Sequence, residues 1–438
     1  MTEVLCLFGL LALLIVIGMP IGLSLGISTT VILATMTKIS LNILPQNAFT
    51  SLDSFPLMAI PFFIIAGNLM TSGGIAKRLV NTFNELLGWC SGGLAMAATA
   101  TCMFFAAISG SANATTSAVG SFMVPAMKEK KYDENFAAAL CAAAGTIGVI
   151  IPPSVPFVVY AVIANCSIGD MFIAGVIPGL LIGFVLMGMC YVVAKKNGYG
   201  GTGMKFSLKR FLKTLGDSIW AIMTPVIILG GIYGGIFTPT EAAVVGIVYS
   251  LIVGFFIYRE LTIKQLIDCF RQTAHSSGVI LFTLGLAMSF AYFLTMQQIP
   301  AKIGAALGAV SSPVVILLIM NIVMLIVGCF IDNFSAVAIL GPVFVPIAKG
   351  FGMDPVQLGV IMTVNFAIGF ITPPYGVNLF VASAISGLRV EGIIKKIWLM
   401  IGLMILCLMA ITYFEPLTMG LVYASREAAA AALAAAAG

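Results

Sequence analysis

The stretch GVIIPPSVPFVVYAVI at 148–163 sets two adjacent prolines inside an apolar run that otherwise reads as a membrane-crossing helix. Proline lacks a backbone N–H and its ring blocks the preceding turn, so the pair stops a helix. In hydrocarbon the backbone groups freed by such a stop are tolerated only where they are buried in protein or line a cavity. The same device returns as GFITPPYGVNLFVASAI at 369–385, an offset of 221 residues from Pro152 to Pro373. Without a gap, that offset also pairs Gly120 with Gly341, Val124 with Val345, Pro125 with Pro346, Asp133 with Asp354 and Gly148 with Gly369. The chain carries an internal repeat, the feature to settle before any other in assigning a fold.

Composition places both copies in lipid. Of 438 residues, 61% are hydrophobic and 8% charged, with a mean hydropathy of +1.13, too few polar groups to cover a soluble particle of this size. A crossing needs about 20 mostly apolar residues. Windows of that kind recur at 3–37, 54–72, 94–108, 136–165, 171–194, 217–258, 278–297, 313–330, 356–386 and 396–414. They lack the alternation of barrel strands, so the expected fold class is an all-α polytopic membrane protein.

Each copy repeats one order of parts. An apolar segment ends in small polar residues, AAISGSANATTSAVG at 106–120 and GCFIDNFSAVAILG at 328–341. A short apolar return follows, then a polar loop, then the helix broken at Pro-Pro. The arms beside each tip are too short to cross separately, which predicts re-entrant helical hairpins at about 94–125 and 313–346 and broken helices at 136–165 and 356–386. Charge orients them. Lys128, Lys130 and Lys131 precede the first broken helix, whereas Arg389, Lys395 and Lys396 follow the second, so the positive-inside rule runs the first outward and the second inward. The expectation is two inverted repeats, 1–200 and 214–415, joined by a basic cytoplasmic connection, 201–213, with Lys195, Lys196, Lys205, Lys209, Arg210 and Lys213 in and around it. Arg259, Lys264 and Arg271 fit less well and suggest an amphipathic interfacial helix over 259–276. Residues 416–438, ending EAAAAALAAAAG, look like a tag remnant or placeholder and are left out of the fold reading.

Inverted repeats with paired broken helices are the mark of secondary transporters that bind substrate and coupling ions near the bilayer midplane. Freed carbonyls can coordinate a cation while half-helix N-termini face an anion. Hydroxyl, amide and carbonyl oxygens suit a hard cation, here Na⁺. One cage is expected from Ser109, Gly110, Ser111 and Asn113 with Gly145, Thr146 and Pro152, and Thr115 and Thr116 stand on the same hairpin. A second is expected from Asp332, Asn333 and Ser335 with Gly369, Thr372 and Pro373. Two cages imply at least two ions. Small residues also serve close helix packing in membranes, but a carboxylate at membrane depth, Asp332, is expensive and usually functional. Ser111, Asn113, Pro153, Ser154, Pro374 and Asn378 are the expected substrate contacts. Arginine is scarce in the spanning segments, so an anionic substrate must be met by ions and helix N-termini.

Other chemistries lack their parts. The single histidine, His275, stands beside Arg259, Lys264 and Arg271 and joins no metal-ligand cluster or Ser/His/Asp set. Nine cysteines form no C-x-x-C pair, and no Walker-type phosphate loop occurs. No set of acid, base and nucleophile points to an enzyme. The +5 net charge lies mostly in loops and speaks of topology, with no nucleic acid implied. Thr238-Pro239-Thr240-Glu241 reads as a capping box with proline at the first helical position, and MPIG at 19–22 is the matching break in the first copy.

ISGSANAT, GTIGVIIPPSVPFVVYAVI, SIGDMFIAGVIPGLL, GGIYGGIFTPTEAA and NLFVASAISGL together resemble the large membrane subunit of tripartite ATP-independent periplasmic (TRAP) transporters over nearly all of 1–415. The resemblance implies a multi-pass carrier of the bacterial inner membrane. It implies an elevator mechanism, with hairpins and broken helices as a transport domain moving in a scaffold. A small four-helix membrane subunit and a periplasmic substrate-binding protein are the implied partners, and Na⁺-coupled uptake of a carboxylate the implied activity. Among family substrates sialic acid is placed ahead of C4-dicarboxylates and other sugar or keto acids. The family's hairpin pattern has serine or alanine where Asn113 stands here. A self-sufficient Na⁺-coupled anion carrier would show the same hairpin logic without the two partners; a channel would need a continuous pore instead of occluding hairpins.

Overall fold

The computed structural model describes residues 2–201, 206–308 and 312–437, and among them every regular element is helical; Lys205 of the expected basic connection lies outside the described residues. Helix stops, more than helix propensity, parse the chain. The window at 3–37 is two helices, α1 (Thr2–Val16) and α2 (Ile21–Met36), separated where Gly18 takes φ +88° and Pro20 follows. Then come α3 (Ile43–Leu52), α4 (Ala59–Ser72) and α5 (Ile75–Leu87).

The first hairpin is α6 (Gly93–Ser109) and α7 (Ala112–Glu129). The first broken helix is α8 (Glu134–Gly145), a 3₁₀ turn at Thr146–Val149, and α9 (Val155–Ala164). After it, α10 (Ile168–Asn197) returns across the molecule. The window at 217–258 divides into α11 (Leu208–Tyr233) and α12 (Pro239–Ile252), where Thr238 and Glu241 close the expected capping box at 2.8 and 3.3 Å. Next are α13 (Ile263–Met296) and α14 (Ile299–Gly308). The second hairpin is α15 (Pro313–Gly328) and α16 (Asn333–Gly350), and the second broken helix is α17 (Pro355–Gly369) and α18 (Val377–Ser386). Last come α19 (Val390–Tyr413) and α20 (Pro416–Ala437). Both Pro-Pro bonds are cis. Among the described residues, seven helical segments are long and apolar enough to cross a membrane.

Polar contacts gather the chain's turns into two layers. In one, Lys396 Nζ pairs with Asp133 at 2.7 Å and the Asp133 N–H donates to Tyr199 Oη at 3.3 Å. In the other, Arg426 pairs with Asp170 at 2.8 Å and Asp354 at 2.9 Å, and Tyr160 Oη donates to the Pro355 carbonyl at 2.7 Å. Thus α8–α9 run from the first layer to the second, and α17–α18 run from the second to the first. The first layer holds the lysines that the positive-inside rule expects on the cytoplasmic side.

Two expectations are corrected here. Residues 259–276 are not a separate interfacial helix: from Ile263 they form the first part of α13, a single helix of 34 residues opened by a second capping box, Thr262 with Gln265. Tyr258 Oη donates to the Asp217 carbonyl at 3.0 Å and accepts from the Ala221 N–H at 3.2 Å. Arg259 and Lys264 are therefore held toward the start of α11, on the same side as the basic connection, where the positive-inside rule expects them. At about 1.5 Å per residue α13 is roughly 51 Å long, well beyond a hydrocarbon core of about 30 Å, so its charged first turns have room outside the lipid. The second correction concerns the tail. Residues 416–426 belong to α20, which lies along α10 and α17, buries Met419 and Val422 fully, and delivers Arg426 to its two carboxylates.

The two copies interlock. A side chain on Gly120 of α7 would collide with Ile385 of α18, and one on Gly341 of α16 would stand 3.0 Å from Ile163 of α9. Each hairpin's return helix thus offers its glycine to the broken helix of the other copy. Asn378 Nδ2 also donates to the Ala142 carbonyl of α8 at 3.1 Å. Separately, α13 is bolted to α3 and α4: Ser289 Oγ donates to the Leu44 carbonyl at 2.8 Å, and Asn68 Nδ2 to Thr273 Oγ1 at 3.1 Å.

Candidate functional site

At the first hairpin tip Ser109 ends α6 and Gly110 reverses the chain with φ +59°. A Cβ there would stand 2.7 Å from the Pro153 carbonyl oxygen, so the tip and the Pro-Pro break touch backbone to backbone. Ser111 caps α7, accepting from the Ala114 N–H at 3.4 Å. Thr115 Oγ1 donates to the Ser111 carbonyl at 2.8 Å and lies 2.8 Å from Ser109 Oγ. Gly148 packs so near that a Cβ would be 2.5 Å from both the Ser111 carbonyl oxygen and Thr115 Oγ1. One residue on, Thr116 Oγ1 is buried without a hydrogen-bond partner, against Gly145.

The second tip is built alike with stronger chemistry. Asp332, 221 residues after Ser111, caps α16: its carboxylate accepts from the Ser335 N–H at 3.0 Å and from Ser335 Oγ at 2.6 Å. Asn333 is fully buried, and neither its amide oxygen nor its nitrogen has a partner among the described residues. Leaving such groups unpaired costs about 1–3 kcal/mol each, a deficit that a bound ligand would remove. Gly369 lies against the backbone of Gly328, and Thr372 Oγ1 donates to the Ile368 carbonyl at 2.7 Å.

Both donor sets fit Na⁺ by chemistry, being oxygens alone, part hydroxyl, part carbonyl and in the second case carboxylate, with an orphaned polar atom in each. Around the first, Ser109, the carbonyl of Ser111 and Thr115 are in mutual contact, the carbonyl of Pro153 lies against Gly110, and Thr116 stands one residue on against Gly145. The Thr146 hydroxyl turns away to the Ala143 carbonyl at 2.7 Å, and Pro152 lies in the break beside them. Around the second, Asp332, Asn333 and Ser335 share the tip, with Gly369, Thr372 and Pro373 on the facing break.

Between the tips lies a cavity of about 320 Å³. Ser111 and Asn113 from the first hairpin and Asp332 and Ser335 from the second face it; Val149, Phe370 and Val377 come from the breaks. Of the expected substrate contacts, Ser111 and Asn113 are thus in place, while Pro153, Ser154, Pro374 and Asn378 are not among its lining residues. Ser154 Oγ instead donates to the Val149 carbonyl at 2.6 Å, and Asn378 is buried on Ala142 with its amide oxygen unpaired. The N-termini of α7, α16 and α18 all meet this cavity, each contributing roughly half a positive charge. The opposite wall is unexpected: His275, Ser276, Val279, Ile280 and Thr283 form one face of α13. The signal that could have found it was T-I-K-Q at 262–265, a capping-box spacing that starts a long helix through His275.

The family model described as the DctM component of tripartite ATP-independent periplasmic transporters matches residues 8–417. The chain is 46% identical over 414 residues to the isethionate TRAP transporter permease protein DctMQ of Oleidesulfovibrio alaskensis, covering 94% of this chain and 65% of that protein. It therefore spans a little under two thirds of that relative's length. It is 42% identical over 401 residues to the C4-dicarboxylate TRAP transporter large permease protein DctM of Pseudomonas aeruginosa, with 91% and 93% of the two chains covered. Among solved structures, the Alcanivorax borkumensis YdaH transporter superposes with a TM-score of 0.60 at 18% identity, covering 93% of this chain and 100% of that one; at that identity the likeness is one of fold.

Proposed function

Because the chain belongs to the DctM-component family of tripartite ATP-independent periplasmic transporters, a family of inner-membrane transport proteins and not enzymes, we propose that it is a Na⁺-coupled importer of a small organic acid. The reading rests on one observation above all: the two hairpin tips, capped by Ser111 and Asp332 at equivalent repeat positions, open on one cavity beside both Pro-Pro breaks. Cations held by the tip oxygens would offset Asp332 and supply counter-charge to an anion that also faces three helix N-termini. Binding of ion and acid is then coupled, since without the ions the anion meets a carboxylate.

The acid is a carboxylate or sulfonate of modest size. A cavity near 320 Å³ is at the small end of ligand sites, and the relatives above are named for isethionate and C4-dicarboxylate. Sialic acid, placed first by the family resemblance, is the larger alternative. Hairpins and broken helices would travel together against α2–α4 and α11–α13, an elevator step, with acid delivered by a periplasmic binding protein and the scaffold completed by a small membrane subunit.

Proteoliposomes holding this chain with that subunit test the reading. Labelled succinate, isethionate and N-acetylneuraminate are offered with and without an inward Na⁺ gradient and the binding protein. Accumulation of one acid that needs both additions is the expected outcome. Accumulation with Na⁺ alone would indicate a self-sufficient carrier, and accumulation indifferent to Na⁺ would overturn the coupling.

A further inference from the structure

His275 is the chain's one histidine, and it lies on the cavity wall that faces the hairpin tips. It is exposed there and has no hydrogen-bond or ion-pair partner among the described residues. The helix that carries it is tied to α4: within two turns of His275, Thr273 accepts from Asn68 at 3.1 Å and Cys269 lies 3.4 Å from Ser72, both on α4. The cavity thus has two chemically unlike walls. One holds helix N-termini and oxygen-rich tips, which suit one anionic group and its ions. The other lacks helix ends and carboxylates: it sets His275, Ser276 and Thr283 beside the apolar Val279 and Ile280.

Resting on the acid-import reading above, we propose that His275 is a specificity-determining residue: its ring donates a hydrogen bond to a second oxygen-bearing group of the acid, opposite the group held by the tips. Acids with polar groups at both ends, such as dicarboxylates and hydroxyalkanesulfonates, are then preferred to equally long acids with a methyl end. An imidazole offers this wall a directional N–H on an apolar body without a permanent charge. A further consequence concerns motion. Because α13 is held to α4, the His275 contact exists only while the hairpins face this wall, so it selects the acid in one state and is absent once the hairpins move off.

Thermal melting of the purified chain with its small subunit, in Na⁺ and in choline, tests this without requiring transport. Two pairs of probes are used: succinate with butyrate, and isethionate with ethanesulfonate. The wild type is expected to bind the bifunctional member of one pair about tenfold more tightly than its partner, the worth of one hydrogen bond to a charged or strongly polar group. His275→Ala should erase that preference and leave the Na⁺ requirement intact, and His275→Gln, which keeps an N–H donor, should restore part of it. A preference unchanged in His275→Ala overturns the proposal while leaving the import reading standing. Stabilisation of the wild type by N-acetylneuraminate, offered as a fifth probe, and by none of the four acids overturns the proposal alone; stabilisation by none of the five overturns both.

Discussion

Asp133 and Asp354 stand 221 residues apart and do the same work on opposite sides of the molecule. Each caps the helix leading to a Pro-Pro break, accepting from the N–H of Phe136 at 3.1 Å and of Val356 at 2.8 Å, and each is held by a cation from a later helix, Lys396 at 2.7 Å and Arg426 at 2.9 Å. The broken helices are therefore anchored at their outer ends and irregular only at their centres. That division puts freed backbone where the ligands would be and keeps the helix starts satisfied.

The anchors should be modest and unequal in strength. All four groups are partly exposed, where pairs contribute about 0–1 kcal/mol each. Arg426→Met loses two carboxylate contacts and leaves Asp170 and Asp354 facing each other, so it should lower the melting temperature in detergent more than Lys396→Met does. Equal effects would show that the second contact contributes nothing.

Acid should weaken the Lys396–Asp133 anchor. Partial burial pushes the Asp133 carboxyl up, but the Lys396 ammonium and the Phe136 N–H outweigh it and hold the carboxyl below the usual carboxylate range. A group lowered on folding contributes stability that is complete above its unfolded value, near 3.9, and is lost as pH falls through the folded value. The acid limb of a melting profile should be shallower in Lys396→Met than in the wild type; superimposable limbs would count against the pair.

Charge and cap can be separated at the second tip. Asp332→Asn keeps an acceptor for the Ser335 N–H and should melt within about 1 kcal/mol of the wild type, yet lose most Na⁺-driven uptake. Asp332→Ala should lose both. Full uptake in Asp332→Asn would remove the carboxylate from the ion site.

Glycine contacts offer a steric test of the same sites. Gly148→Ala places a methyl group against the Ser111 carbonyl and Thr115, and Gly369→Ala against the Gly328 backbone. Each should cost about 1–3 kcal/mol and raise the Na⁺ concentration needed for half-maximal uptake. Gly188 on α10 has open space around it, so Gly188→Ala serves as the control and should leave Na⁺ affinity alone.

A buried polar triad occurs in the second copy only. Asn365 Nδ2 donates to Asn321 Oδ1 at 2.6 Å, and Asn321 Nδ2 to Thr412 Oγ1 at 3.1 Å, where the first copy has Ala144 and Ala100 at the positions of Asn365 and Asn321. Asn365→Ala should destabilise by about 1–3 kcal/mol because Asn321 loses its donor. Replacing both asparagines by alanine should destabilise by less than the sum of the single changes, a coupling readable from a double-mutant cycle.

Proline and glycine made much of the architecture legible. The stops at Pro20, Pro152 and Pro373, the tips at Gly110 and Asp332, and the box at Thr238 all stand where local rules put them. What escaped the sequence was long-range or masked. The charges of Arg259, Lys264 and Arg271 suggested an interface and hid the length of α13, and with it the placement of His275. The alanine run after Arg426 disguised the packed start of α20. Asn378 sits close to its expected helix face but spends its amide on Ala142, 236 residues away, a partner no local pattern encodes.

The glycine seams at Gly120 and Gly341 have a consequence for how such a molecule comes to exist at all. Each half keeps the first arm of its broken helix, α8 or α17, on its own hairpin and gives the second arm, α9 or α18, to the hairpin of the other, so neither half holds a finished core of its own. In form it is a domain-swapped dimer whose members share one polypeptide. Covalent linkage holds the partner at an effective concentration that dissociation cannot dilute. It also frees the two members to diverge, since a change in one need not be mirrored in the other. Ser111 facing Asp332 across one cavity is what that freedom permits: two equivalent positions, two different side chains, one shared cavity.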